Sequence, residues 1–455
     1  MSAAPGPSPA PPTAPALREA ISAFPKFGDG ASLPRILGFA AAEGLDLAAL
    51  GARSIVVTGS KGKGGTAAAA AAGLDAAGIR TGLFTSPHLR RLNERIAIGG
   101  TEISDDAFLR ALARVRRHAE GPGAGPGARM GAFEALFLAA ALWFAEEAPD
   151  AMVWEAGIGG RLDPVRCLGA RIGTLTSVEL EHAAILGSRR DIIAYDKLDA
   201  IAPGGINVIS PSVGEDLRLA LAAHNALAGR ETVFVADEIR AAAQVDAQGT
   251  TARFTGAAAG QVGGPLRFAM AAAHQVDNAL TAARAAGALH GALRAGGDVG
   301  YGLLPGMCDL RWPGRMERIC AAPEAWIDVG HTPESLARTV EALAGAVELS
   351  RALLVFGASE GKEIAGMCAA VAGRFGGGVI LAAASKHGAD PAALAQMFGA
   401  GEVRAQAADV AAACAEARGI AAAEGRPVAV LGGLFLAEEF RQAWAGGDPA
   451  DLWFL

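Results

Sequence analysis

The chain has 455 residues, too many for one ordinary core, so two major domains are expected. Its hydrophobic fraction of 51% is largely alanine and holds no strongly apolar run long enough for a bilayer, so no membrane association is expected. A formal net charge of −7 without a long basic run gives no footprint for nucleic acid, and five scattered cysteines without a Cys-x-x-Cys pair argue against a zinc knuckle or disulfide framework. Small-molecule chemistry in a reducing cytoplasm is the reading that remains. Lysine use sharpens it. Of 40 basic residues only six are lysine, Lys26, Lys61, Lys63, Lys197, Lys362 and Lys386. Where arginine is the default cation, a retained lysine suggests a need for a compact ammonium or a neutral amine.

Residues 1–16 are rich in Pro and Ala, lack a basic start, and read as a disordered tail rather than a signal peptide. Ser54–Thr58 reads as a buried strand. It is followed by Gly59-Ser60-Lys61-Gly62-Lys63-Gly64-Gly65-Thr66 and an Ala-rich helix from about Thr66 to Ala77. Glycines in that position let backbone N–H groups close around phosphates, and the helix start favours their charge. Lys63 is placed to reach the β- and γ-phosphates. The spacing is neither G-x-G-x-x-G nor a full G-x-x-x-x-G-K-[ST], because Val57 occupies the first glycine position, so a merely tight turn stays open.

Apolar runs at Thr81–Thr85, Ala151–Glu155, Ile172–Thr176 and Ile206–Ile209 alternate with helical stretches, the pattern of a mostly parallel sheet. Polar motifs follow several of these runs. The first leads into Phe84-Thr85-Ser86-Pro87-His88-Leu89 and then Asn93-Glu94-Arg95-Ile96. The second ends in Trp154-Glu155-Ala156-Gly157-Ile158-Gly159-Gly160-Arg161-Leu162-Asp163, where Glu155 is a hard oxygen ligand suited to Mg²⁺ or, more plainly, a buried helix cap. The third leads to His182, with Lys197 fifteen residues beyond. Short β-prone pieces between Glu231 and Met270 suggest a small antiparallel patch. His274-Gln275-Val276-Asp277-Asn278-Ala279 opens a helix on which Gln275 and Asn278 share a face.

Gly296–Gly306 separates this series from a second one, so the domains are expected at 17–298 and 299–455. The second carries Trp312-Pro313-Gly314-Arg315-Met316-Glu317 and Asp328-Val329-Gly330-His331-Thr332-Pro333, with strands at Ala325–Asp328, Ala352–Phe356, Gly378–Ala382 and Pro427–Leu431. The fold class is α/β: a P-loop-containing, mostly parallel sheet domain followed by a smaller doubly wound, Rossmann-like C-terminal domain. Ligands of such sheets bind beyond the carboxyl ends of strands, which implies a shared interdomain site.

Together these motifs resemble the folylpolyglutamate synthase/dihydrofolate synthase family, a branch of the Mur-type ligases, from about Leu33 to the end of the chain. The resemblance implies ATP and Mg²⁺ as cofactors. Nucleotide would be held by Gly59, Ser60, Lys61, Gly62, Lys63, Gly64, Gly65 and Thr66, with Asn278 near the base, Asp328 at the ribose, His331 on the nucleotide or product side, and Arg315 clamping phosphates across the cleft. It implies Ser86, Glu155 and His182 as metal ligands, and Lys63, His182, Lys197 and Arg315 as catalytic residues, with Lys197 a candidate for carbamylation. The implied activity is ADP-forming addition of L-glutamate to dihydropteroate, folates or both, by a cytoplasmic monomer.

Several positions depart from the family pattern. Lys61 stands where Asn is usual, Gly65 where a Ser offers a hydroxyl (Thr66 being the one substitute nearby), Pro164-Val165-Arg166 for Ala-Thr-Asn, Ala273 for Arg, and Thr332 for Asn. The Ala382-Ala383-Ala384-Ser385 stretch also lacks the usual polar pattern. A related ligase with another acyl substrate or amine, and a catalytically weak nucleotide-binding or regulatory relative, are the alternatives.

Overall fold

The computed structural model describes residues 13–120, 129–180, 183–294 and 296–454. Its first sheet has eight strands: β1 (Ser54–Thr58), β2 (Thr81–Phe84), β3 (Ile96–Ile98), β4 (Thr101–Glu102), β5 (Ala151–Glu155), β6 (Ile172–Leu175), β7 (Ile206–Ile209) and β8 (Glu231–Phe234). The order is β4-β3-β2-β5-β1-β6-β7-β8. All neighbours are parallel except at one edge, where β3 pairs antiparallel with both β2 and β4. The central strands β1, β5 and β6 are buried at every residue, as strands covered on both faces must be, and that is why they read as unbroken apolar runs.

Two helices cover one face. Lys63–Ala76 starts three residues earlier than expected, because Lys63, Gly64 and Gly65 already form its first turn. It packs on the helix Ala273–Arg294 through side chains that are mostly Ala, with Ala67, Ala70, Ala279, Ala282, Ala283 and Ala286 all in one buried cluster. On the opposite face Trp154 packs against Phe84, Phe137 and Phe144, with ring centroids 5.8, 5.3 and 5.1 Å away, and its indole N–H donates to Ser54 Oγ at 2.9 Å.

The antiparallel patch is a sheet of β9 (Arg240–Asp246), β10 (Gly249–Thr255) and β11 (Leu266–Phe268). It begins later than expected, since Glu231–Phe234 joins the main sheet instead. The second unit is built on β12 (Glu317–Ala321), β13 (Glu324–Ile327), β14 (Leu353–Phe356), β15 (Val379–Leu381), β16 (Val403–Gln406) and β17 (Val428–Leu431), in the order β12-β13-β17-β14-β15-β16, parallel apart from β12. Near the start of the chain, a helix Pro15–Ser22 lies partly inside the segment expected to be a tail. Leu17 and Ile21 are buried, and Thr13 Oγ1 accepts a hydrogen bond from the Leu92 N–H at 3.1 Å. Residues 1–12 lie outside the described residues. No helix among the described residues is long and apolar enough to cross a membrane.

Trp154 both fills the core and precedes Glu155. Trp154→Ala should lower unfolding free energy by about 3–5 kcal/mol, measured by chemical denaturation followed by circular dichroism. An unchanged transition midpoint would show that this aromatic cluster does not hold the sheet together.

Candidate functional site

The loop after β1 is pinned from beneath by the segment after β6. Thr176 Oγ1 donates to the Lys61 carbonyl at 2.6 Å, Ser177 Oγ accepts from the Lys61 N–H at 2.8 Å, and the Ser60 N–H donates to the Ser177 carbonyl at 2.9 Å. Two lysines then converge on one oxygen. Lys63 Nζ and Lys197 Nζ each donate to the Gly59 carbonyl at 3.0 Å, and Lys63 also reaches the Ser60 carbonyl at 3.4 Å. Lys197, on the helix Arg190–Leu198, is only 2% exposed. At the turn into the helix Gly62 has φ +86°, and a Cβ there would meet Asn278 Oδ1 at 2.7 Å. Both the backbone and the neighbour demand glycine.

Beside this loop β5 ends in Glu155, 3% exposed, whose Oε2 accepts the Ser86 N–H at 2.8 Å. Burial drives its pKa upward, and Lys63, the Ser86 N–H, Arg315 and Arg95 oppose the shift in that order. Gly64, Ser86, Glu155, Trp312 and Arg315 share one cleft of about 320 Å³. Among the described residues no hydrogen bond reaches Glu155 Oε1, and no three His, Cys, Asp or Glu side chains converge as a metal cage. One free carboxylate oxygen beside a serine fits Mg²⁺, which takes few protein ligands and completes its shell with water and phosphate oxygens. His182, the remaining metal candidate and a catalytic candidate, lies outside the described residues.

The second unit supplies the far wall. Lys61, Gly62, Gly65, Asn278, Arg315 and His331 line a smaller pocket of about 80 Å³, together with His274, Asp328 and Arg338. Arg315 has no ion pair among the described residues, whereas Arg338 reaches Glu179 of the first unit at 3.8 Å. His331 is held near pKa 4 by burial and then by Lys61 and Lys362. His274 is likewise near 4, through burial and the nearby Arg315 and Arg338, against the pull of Asp328. Both imidazoles are therefore neutral at pH 7, and the positive charge facing this pocket comes from lysine and arginine.

Three expected nucleotide contacts have surroundings of their own. Thr66 is fully enclosed, its hydroxyl has no hydrogen-bond partner among the described residues, and it lines neither cleft, so its side chain faces away from the position of the hydroxyl missing at Gly65. One residue along a helix is a turn of about 100°, enough to carry the side chain from the loop face into the core. Ser60 Oγ accepts from the Glu179 N–H at 3.0 Å. Asp328 accepts from the Met316 N–H at 2.9 Å, the Gly330 N–H at 2.8 Å and Thr339 Oγ1 at 3.1 Å, which ties together the two turns that carry Arg315 and His331. Thr332 caps the helix Pro333–Ala346 in a reciprocal box with Ser335.

Sequence reasoning passed over Thr176 and Ser177 as loop clamps, and Trp312 as a cleft wall. It also quoted His88 and Arg95 without giving them a part. Their roles depend on contacts between segments far apart in sequence, and only the strand-end placement of their motifs hinted at them.

Residues 314–434 match the family model of the Mur ligase glutamate ligase domain. The chain is 27% identical, over 323 residues, to the dihydrofolate synthase/folylpolyglutamate synthase of Bacillus subtilis, covering 69% of this chain and 73% of that protein. It is 30% identical over 324 residues to a probable bifunctional folylpolyglutamate synthase/dihydropteroate synthase of Halobacterium salinarum, covering 70% of this chain but only 38% of that longer relative. Its fold matches the Mycobacterium tuberculosis folylpolyglutamate synthase complexed with ADP, with TM-score 0.81 and 25% identity over 94% of this chain and 98% of that one. A likeness that runs through both sheets and includes the glutamate ligase domain supports the folylpolyglutamate synthase/dihydrofolate synthase family of Mur-type ligases as the one this chain resembles.

Proposed function

We propose that the protein is an ADP-forming amide ligase that uses ATP to join L-glutamate to the carboxylate of dihydropteroate, a folate, or both. The observation that carries this reading is the meeting of Glu155 from the first unit with Arg315 from the second around one cleft, with the Lys63 ammonium acting on the same carboxylate. A carboxylate is a poor acyl donor until one oxygen becomes phosphate, and the acyl phosphate is then attacked by an amine, with release of ADP and phosphate. Such chemistry calls for charge neutralisation and alignment, and for no protein nucleophile. Lys63 would lift from the Gly59 and Ser60 carbonyls to meet the β- and γ-phosphates, and Arg315 would clamp them from the opposite wall. Glu155 and Ser86, with His182, would hold Mg²⁺, which when bound neutralises phosphate oxygens. Because the clamp and the loop belong to different units, their approach would also exclude water from the acyl phosphate. Lys197, hydrogen-bonded to the same carbonyl as Lys63, would set the loop and is the candidate for carbamylation.

Purified protein should release ADP with dihydropteroate plus L-glutamate, with tetrahydrofolate plus L-glutamate, or with both, and Lys63→Ala should be at least about a hundredfold slower. Turnover with neither pair, alongside measurable MgATP binding, would redirect the assignment to another acyl substrate or amine. Absence of nucleotide binding would remove the ligase reading altogether. Chelation by EDTA should abolish turnover and excess Mg²⁺ restore it; full activity in EDTA would contradict the metal role. Gly62→Ala, forced to φ +86° against Asn278, should weaken MgATP binding by about tenfold or more in calorimetry.

A further inference from the structure

Arg95 is 5% exposed, and among the described residues no carboxylate lies within ion-pair distance of its guanidinium. Its Nε instead donates to His88 Nδ1 at 2.9 Å. With Nδ1 accepting, His88 is neutral and carries its proton on Nε2, which donates to the Trp453 carbonyl at 3.1 Å. The Trp453 ring lies nearly parallel to the imidazole, at 6° and 6.0 Å between centroids. A buried guanidinium without an acid partner is costly unless opposite charge faces it, and here that charge is Glu155, with Glu94 second. The Arg95 backbone acts in the same place. Its carbonyl accepts from the Thr85 N–H at 2.9 Å, one residue before the Ser86 N–H that holds Glu155 Oε2.

The far end of this chain of contacts bridges both units. The Asp451 carbonyl accepts from Arg18 at 2.8 Å, the Phe454 carbonyl accepts from Lys386 Nζ at 2.9 Å, and the Phe454 ring meets Phe435 edge-on at 4.7 Å. Arg18 and His88 belong to the first unit, Lys386 and Phe435 to the second. We propose that His88 and Arg95 are a buried positioning pair for Glu155, anchored by the Trp453 carbonyl, so that the segment 451–454 links the seat of the second unit to the placement of that carboxylate. The inference rests on the proposed function only in taking Glu155 to face a divalent cation.

The test uses the full chain, with Mn²⁺ and ADP as the probe. Calorimetry and electron paramagnetic resonance should show Mn²⁺ affinity about tenfold lower or worse in His88→Phe and Arg95→Met, the range expected when a group behind a metal ligand is removed. His88→Gln, which can still accept and donate, and Arg95→Lys should recover much of it, and Trp453→Ala should shift it in the same direction by less. Hydrogen exchange over residues 85–88 and 155–158, measured without metal, should quicken in the first two variants and return in the conservative ones. Unchanged exchange and affinity in His88→Phe and Arg95→Met, or losses that His88→Gln and Arg95→Lys do not repair, would reduce the pair to ordinary packing and overturn the proposal. Wild-type protein that binds no Mn²⁺ would sink the metal reading of Glu155, while the exchange data would still decide whether the pair positions it.

Discussion

The site depends on one carboxylate placed where water barely reaches it. Glu155 ends a fully buried strand and is itself 3% exposed, so desolvation works against its ionised form. Four groups oppose part of that cost: the Lys63 ammonium, the Ser86 N–H, and the guanidinium groups of Arg315 and Arg95. Three of them come from the first unit and one from the second. The two halves of the molecule are thus joined by electrostatics at the point where the proposed chemistry needs them joined, and a change that moves Arg315 away also alters the carboxylate it faces.

The scarcity of lysine in the sequence has a physical counterpart. Lys63 and Lys197 both end on the Gly59 carbonyl, an arrangement suited to compact ammonium groups but awkward for two planar guanidinium forks. Lys61 sits close enough to His331 to help hold it neutral, and Lys386 ties down the segment that carries Trp453. Arginine, by contrast, supplies many of the exposed ion pairs, such as Arg80 with Glu147 and Arg404 with Glu424, where reach and a forked donor matter more than compactness.

What could be read in advance followed from burial. Strands β1, β5, β6 and β17 are covered on both faces and stand out as apolar runs, and the loop after β1 stands out because only glycine tolerates its path. The short strands β3, β4, β12 and β16, at or next to the sheet edges, left little trace, since two to five residues are too few to carry a clear period. Glu231–Phe234 was legible as a strand but not as the outermost member of the larger sheet, because pairing partners are not written locally. In the site, Lys63, Glu155 and Arg315 could be named from motifs. The direction of Thr66, the three hydrogen bonds held by Asp328, and the contact of Arg95 with His88 could not. Each depends on a rotation about a helix or on chain segments that meet only after folding.

The alanine-lined contact between the helices Lys63–Ala76 and Ala273–Arg294 has a further consequence. Alanine has no side-chain rotor to freeze on folding or to excite on warming. The spacing between these helices, and with it the height of the phosphate loop above the sheet, is therefore set by backbone against backbone. Such a spacer should keep its gauge as temperature rises, while neighbouring regions packed by long side chains begin to loosen.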